Sequence, residues 1–343
     1  MLQCKCLHER QIHKKNITFK KRIARTTGLE LTMPGTLVIG FVFVDIKGFA
    51  AENYVAAGRN VGYIRFIHGG VSRNVAENIA NTGMPVTFAS LTEDSALGND
   101  VVKRLSARGC DTTYMKTVSE NGIGTWMVIL DSDGSVAGQI SCPPNTAALE
   151  ALLAEKGDEL ISSCDNVILE LDTSEALDSC VLALAKKYGK PVYTVVGNMS
   201  IILARPDFVA ALDCFVCNEI EAGRLFGCDL TSATPEEMYT LLKARVPALG
   251  CRARVVTMGE RGAVYYEADC NAGGTVPAIP TESVDSTGAG DAFLSGMVMG
   301  LSRGMPLSDA VRAGTALASA TIMTDESCAP PDDTFWQRIA SQA

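Results

Sequence analysis

The sequence predicts an α/β fold: a mostly parallel central sheet with helices on both faces, plus a small β-sheet lid. Three observations carry this. From residue 36 on, short apolar runs alternate with segments of helical period, the pattern of strands joined by crossover helices. The apolar runs are nearly continuous, as buried parallel strands are. Two stretches, 60–67 and 124–141, instead alternate apolar and polar residues like exposed strands.

Taken in order, "TLVIGFVFVD" (36–45) reads as one buried strand. "SRNVAENIANTG" (72–83) reads as a helix closed by Gly83, with Val75, Ile79 and Ala80 at helical spacing. "PVTFASL" is a strand, "ALGNDVVKRLSARG" a helix, "NVILEL" a strand and "SEALDSCVLALAKKYG" a helix. "PVYTVV", "CFVC" and "RVVTM" are short buried strands. Helical patterns follow at 219–226, 234–248, 289–303 and 306–322. "GTWMVILDSDGSVAGQIS" (124–141) carries a hairpin turn at Ser132–Asp133–Gly134. The lid is expected from about 46–67 and 111–142, inside one domain spanning 33–343.

Composition narrows the function. The chain has 343 residues and a net charge of −9. Residues 1–33 hold eight Lys and Arg against two Glu, a net +6, which leaves −15 on the rest. An acidic body argues against nucleic acid as a main partner. The basic head has no apolar periodicity, so residues 1–32 are expected to be a disordered extension. The longest early apolar run, "TLVIGFVFV", is too short to span a bilayer, and no signal peptide is visible. Twelve scattered cysteines suit reduced, buried thiols in a cytoplasmic protein better than disulfides. "CKC" at 4–6 lacks a second ligand pair at metal spacing.

The chemistry concentrates in "DSTGAGDAF" (285–293). A helix N-terminus exposes unpaired N–H groups and a positive dipole end. Small residues there let an anion approach the backbone. Gly288, Ala289 and Gly290 are therefore a candidate anion hole. Asp291 beside it suits a general base, taking a proton from a hydroxyl as that oxygen attacks phosphorus.

This string resembles the C-terminal signature of the ribokinase-like carbohydrate kinases, the PfkB family. The remaining motifs follow that family's order. "VIGFVFVDIKG" supplies Asp45, and "HGGVSRNVAENIANTG" supplies Gly69, Gly70 and Asn74. "VCNEIEAGRLFG" supplies Asn218 and Glu221, and "VTMGERGAVYY" supplies Thr257, Gly259 and Gly262. The resemblance implies a ribokinase-like fold and an ATP-dependent kinase. Asp291 is then the base, and Gly288, Ala289 and Gly290 the anion hole. Asp45, Gly69, Gly70 and Asn74 hold the substrate; Asn218, Thr257, Gly259 and Gly262 hold ATP. Glu221 acts on Mg²⁺, through water. Asp285 and Thr287 match a monovalent-cation site, K⁺ being the expected ion.

"GGVSRN" is similar to the pseudouridine kinase group, which implies phosphorylation of pseudouridine at its 5′ hydroxyl. The chain departs from that group at "VVGNMS" (195–200) and "QISCPPN" (139–145). A sugar kinase of the same family, another nucleoside kinase, or a non-catalytic sugar- or nucleotide-sensing protein are the alternatives. Arg73 and Lys47 are the cations inside the N-terminal motifs, and Arg73 reads equally as a solvated helix residue. Ile64, Phe66 and Trp126 are candidates for apolar surface against a base. Exposed lid edges allow a homodimer. Neither a nucleic acid nor a membrane partner is expected.

Overall fold

The run 36–45 is two strands, not one. In the computed structural model Thr36–Ile39 (β1) lies in the main sheet, whereas Phe43–Ala50 (β2) belongs to a separate sheet. The chain crosses between them at Gly40–Val42. A Cβ on Gly40 would fall 2.0 Å from Ser72 Oγ, so the crossing needs a bare backbone. The sequence hides this break because Val38, Phe41, Val42 and Val44 are all apolar and all buried. The structure describes residues 35–171, 173–195, 199–331, 335–336 and 339. The predicted extension at 1–32, and Gly197 and Asn198 of "VVGNMS", lie outside them.

Further strands are Gly62–Gly69 (β3), Val86–Glu93 (β4), Met115–Val118 (β5), Gly124–Leu130 (β6), Val136–Cys142 (β7), Asn166–Leu169 (β8) and Val192–Val195 (β9). Cys214–Asn218 (β10), Ala253–Thr257 (β11), Ala263–Glu267 (β12) and Ala272–Val276 (β13) complete the set. The main sheet has nine strands in the order β13-β12-β11-β10-β9-β8-β1-β4-β5. Seven run parallel; β12 and β13 are an antiparallel edge. Along β1, Leu37 and Ile39 enter one apolar layer and Val38 the other. A strand buried on both faces is thus apolar throughout.

Helices Val71–Asn81 (α1) and Ala96–Arg108 (α2) help build one layer, Ala147–Ser163 (α3) and Glu175–Tyr188 (α4) the other. Two short helices follow, Ser200–Ala204 (α5) and Pro206–Ala210 (α6), then Glu219–Phe226 (α7) and Pro235–Leu249 (α8). Ala289–Ser302 (α9) and Leu307–Ile322 (α10) close the layer begun by α1. The pattern at 147–163 is missed from sequence. Its buried residues, Leu149, Leu153, Gly157, Leu160 and Ile161, include a glycine where Leu184 approaches, which interrupts the apolar stripe.

The second sheet has the order β3-β2-β6-β7. It is the lid that the alternating stretches predict, and it begins at Phe43. Residues 115–118, assigned to the lid from sequence, pair instead with β4 in the main sheet. Among the described residues no helix is long and apolar enough to cross a membrane. The ten described cysteines are all unpaired, and six are buried; Cys142, Cys228 and Cys270 are exposed, against the expectation that the thiols are interior.

Candidate active site

Helix α9 begins at the mouth of the site. Gly288 caps it in the left-handed region, φ 81°, and a Cβ there would lie 2.4 Å from the Ser327 carbonyl. Only glycine fits both demands. Among the described residues a Cβ on Gly290 would meet nothing within 4 Å, so they leave this side of the turn open. The Ala289 amide donates to the Ser286 carbonyl at 3.2 Å. That leaves the anion-binding capacity of the turn with the next first-turn amides, Gly290 and Asp291.

Asp291 sits in this first turn and is 9% exposed. Asn74 Nδ2 donates to its Oδ2 at 2.7 Å. Burial pushes its carboxyl up to about 7, against the Asn74 hydrogen bond, with Glu170 and Asp45 adding repulsion. A carboxylate poised there is a proton acceptor matched to neutral pH.

Strand β2 brings Asp45 from the lid. In register it faces Ile67 on one side and Trp126 on the other. A Cβ on Gly69 would fall 2.6 Å from Asp45 Oδ1, so the carboxylate rests on the bare Gly69 backbone. Gly70, φ 94°, is the N-cap of α1 and lies where a side chain would strike Phe41 O and Phe43 N. One turn on, Asn74 points at Asp291. The "HGG…N" spacing thus joins lid, helix and candidate base. Burial raises the Asp45 carboxyl, while Lys47 and Arg73 lower it.

Arg73 is not a solvated helix residue: it is 1% exposed. Its Nε donates to Gly69 O at 3.2 Å, and its guanidinium also donates to the His68 carbonyl and to Glu77 Oε2. It clamps the β3–α1 turn from behind. Glu77, fully buried, also receives Arg104. Glu170, just beyond β8 and close enough to repel Asp291, is a candidate site residue that the sequence reading missed. It accepts from Ser72 Oγ at 2.6 Å and from the amides of Phe41 and Ser72. Burial raises its carboxyl. An acid ending the apolar run "NVILE" was the available signal, since ligands collect at the carboxyl ends of parallel strands.

A second cluster forms at the ends of β10 and β11, where Asn218 and Thr257 are partners in register. Asn218 caps α7 reciprocally with Glu221: Glu221 N donates to Asn218 Oδ1, and Asn218 N to Glu221 Oε2. Burial raises the Glu221 carboxyl. Gly259 and Gly262 have φ of 55° and 87°. The Gly262 carbonyl accepts from Met258 N, which closes the turn beside Thr257.

Asp285 Oδ1 accepts from Thr287 N at 2.8 Å, and its Oδ2 lies 3.9 Å from Lys47 Nζ. Burial raises this carboxyl, but the Thr287 bonds and the Lys47 charge outweigh it and hold it low. Strand alternation corrects the lid expectation. Trp126 shares the face of Asp45 and Lys47, whereas Ile64 and Phe66 lie on the opposite face, 66% and 60% exposed.

A parallel sheet with an anion-receptive helix mouth, a buried carboxylate at that mouth and a lid strand carrying polar groups defines a small-molecule kinase. The chain belongs to the pfkB family of carbohydrate kinases, which it matches over residues 33–334. It is 31% identical over 295 residues to a guanosine-inosine kinase of Exiguobacterium acetylicum, covering 86% of this chain and 96% of that one. It is 25% identical to a pseudouridine kinase of Escherichia coli, covering 80% and 86%. Among solved structures, Arabidopsis thaliana ribokinase complexed with ribose and ATP superposes with a TM-score of 0.80 at 23% identity, covering 89% of this chain and 98% of that one. The fold is therefore ribokinase-like, and the protein is a phosphotransferase acting on a sugar or nucleoside hydroxyl.

Proposed function

We propose that this protein is an ATP-dependent nucleoside kinase that phosphorylates the 5′ hydroxyl of its acceptor. The observation that carries the reading is the inner face of the lid, where Asp45 and Trp126 stand side by side. A carboxylate grips ribose hydroxyls, and the indole beside it gives a nucleobase an aromatic surface that a free sugar cannot use. The similarity to a guanosine-inosine kinase and to a pseudouridine kinase supports a nucleoside over a sugar. Guanosine or inosine is the first reading. Pseudouridine is the second, favoured by "GGVSRN".

In this mechanism Asp45, Asn74, Gly69 and Gly70 hold the ribose. The 5′ hydroxyl oxygen attacks the γ-phosphorus of ATP, its proton passes to Asp291, and the bond to the β-phosphate oxygen breaks to release ADP. The first-turn amides of α9 stabilise the charge of the transferring group. Asn218, Thr257, Gly259 and Gly262 line the nucleotide side. Glu221 fits a Mg²⁺ carried by the triphosphate. Its carboxylate is partly buried and oriented by the Asn218 amide on Oε2, and it would bind a water of that ion. Asp285, with its low carboxyl, fits a monovalent cation such as K⁺. The apolar outer face of the lid, with Ile64, Phe66, Met127 and Ile140 exposed, suits a homodimer made through the lid. A cytoplasmic location and a dispensable extension at 1–32 complete the proposal.

A panel of guanosine, inosine, pseudouridine, ribose, fructose and ketodeoxygluconate with ATP and Mg²⁺ tests it. A nucleoside is expected to exceed every free sugar in kcat/KM by more than about tenfold, or about 1.4 kcal/mol of transition-state binding. A free sugar turning over fastest overturns the nucleoside reading and leaves the kinase.

A further inference from the structure

We propose that Lys47 is a second catalytic side chain, carried on the lid, which neutralises the phosphoryl group as it crosses the mouth of α9. The proposal rests on the reading of Asp291 and the Gly288–Gly290 turn given above. It adds a charge to that site that neither the family match nor the relatives assign.

Position comes first. Lys47 follows Asp45 by two residues on β2, so both side chains leave the same face of the lid. Its side chain is only 14% exposed, and its ammonium lies 3.9 Å from Asp285 Oδ2. Asp285 opens the segment that Gly288 ends, so the lid presents a cation to the wall of the anion-binding turn. The lid strand thus holds both the acceptor's carboxylate and this cation.

Charge comes second. Asp45, Glu170, Asp285 and Asp291 are all carboxyl groups, and the incoming triphosphate stays negatively charged even with one Mg²⁺ bound. In transfer, negative charge spreads over the three equatorial oxygens of the γ-phosphoryl group. Backbone amides carry only partial charges. The cations that act on Asp45 are Lys47 and Arg73. Arg73 is committed, with its guanidinium on the Gly69 and His68 carbonyls and on Glu77. Lys47 is held differently. Its pair with Asp285 exceeds hydrogen-bond length, and Asp285 is 38% exposed. A pair of that kind contributes little, so a phosphoryl oxygen at the same mouth displaces Asp285 readily. A lysine on a four-carbon stem can make that swing.

The test uses the full chain with guanosine and with pseudouridine. Lys47→Met is expected to lower kcat by about 10²–10³-fold, with the acceptor KM within about threefold and an unchanged melting temperature. Lys47→Arg is expected to restore at least about tenfold of that loss. A binding readout separates chemistry from structure. Calorimetric affinity for ADP alone is unchanged in Lys47→Met, whereas affinity for ADP with aluminium fluoride and nucleoside, a mimic of the group in flight, falls at least about tenfold. An Asp285→Asn protein should still lose activity when Lys47→Met is added. If it does not, Lys47 acts only through Asp285 and the proposal fails. A Lys47→Met kcat within threefold of the parent also overturns it. Asp291→Asn, run alongside, keeps the two readings apart. An inactive Asp291→Asn with an active Lys47→Met sinks Lys47 alone, whereas an active Asp291→Asn sinks the site reading itself.

Discussion

The proposed base makes a two-part prediction about pH. Asp291 is buried in the first turn of α9, and desolvation lifts its carboxyl from the ordinary 3.8 to about 7. At that value roughly a tenth of the protein carries the carboxylate at pH 6 and roughly nine-tenths at pH 8. If Asp291 takes the hydroxyl proton, kcat/KM should rise about tenfold over that interval with a single ionisation near 7. An ordinary aspartate would be ionised throughout, and the profile would be flat. Asp291→Asn keeps the volume but not the basicity, and should reduce kcat by at least about 10²-fold. The same burial affects folding. Between 3.8 and about 7 the folded protein keeps a proton that the unfolded chain has lost, so stability falls as pH rises through that window. A rise from 3.8 to about 7 corresponds to about 4 kcal/mol when fully expressed at pH 8. Asp291→Asn removes this cost, so it should melt at a higher temperature than the parent at pH 8, and the difference should shrink towards pH 4. A coupled ADP assay from pH 6 to 8 and calorimetric melts from pH 4 to 8 read both parts. A flat rate profile, or near-normal turnover in Asp291→Asn, would refute the assignment.

Two further outcomes are expected. Gly69→Ala places a methyl 2.6 Å from Asp45 Oδ1 and should raise the acceptor KM by more than about tenfold, with ATP affinity unchanged; initial rates against both substrates check it. Arg254 is fully buried, lies 4.2 Å from the Phe215 ring centre, and among the described residues its guanidinium has only the weak Cys251 thiol acceptor beside it and no carboxylate or carbonyl partner. A packed apolar residue there should be better tolerated than the charge, so Arg254→Met is expected to raise stability by about 1–3 kcal/mol in urea unfolding; a loss would show that the stacking on Phe215 outweighs the desolvation.

What the sequence makes legible here is whatever is written locally. Helix α7 is readable to the residue because Asn218 starts it and Gly227 stops it within one short stretch. Lid strands β3, β6 and β7 declare themselves by alternation, though β2 does not, and the signature at 285–291 declares itself by its small residues beside an acid. What escapes depends on a distant partner or on how a turn orients nearby groups. Glu170 becomes a site residue only because Ser72, 98 positions earlier, reaches it. Arg73 reads as surface because its acceptors, the carbonyls of His68 and Gly69, become acceptors only once β3 turns into α1. The facing of Ile64 and Phe66 could not be decided from alternation within their own strand. It follows from which residues of β2 they oppose, and that register is fixed where Gly69 meets Phe43. The same fact orients Lys47. A slip of one residue would turn Asp45 and Lys47 outward together, so the glycine that admits the Asp45 carboxylate also decides that the lid offers its cation to the phosphoryl site. On the proposed roles of Asp45 and Lys47, the lid's register bears directly on turnover. A substitution that shifts it should cost acceptor binding and turnover together, while leaving the Asn218–Thr257 cluster on the main sheet intact.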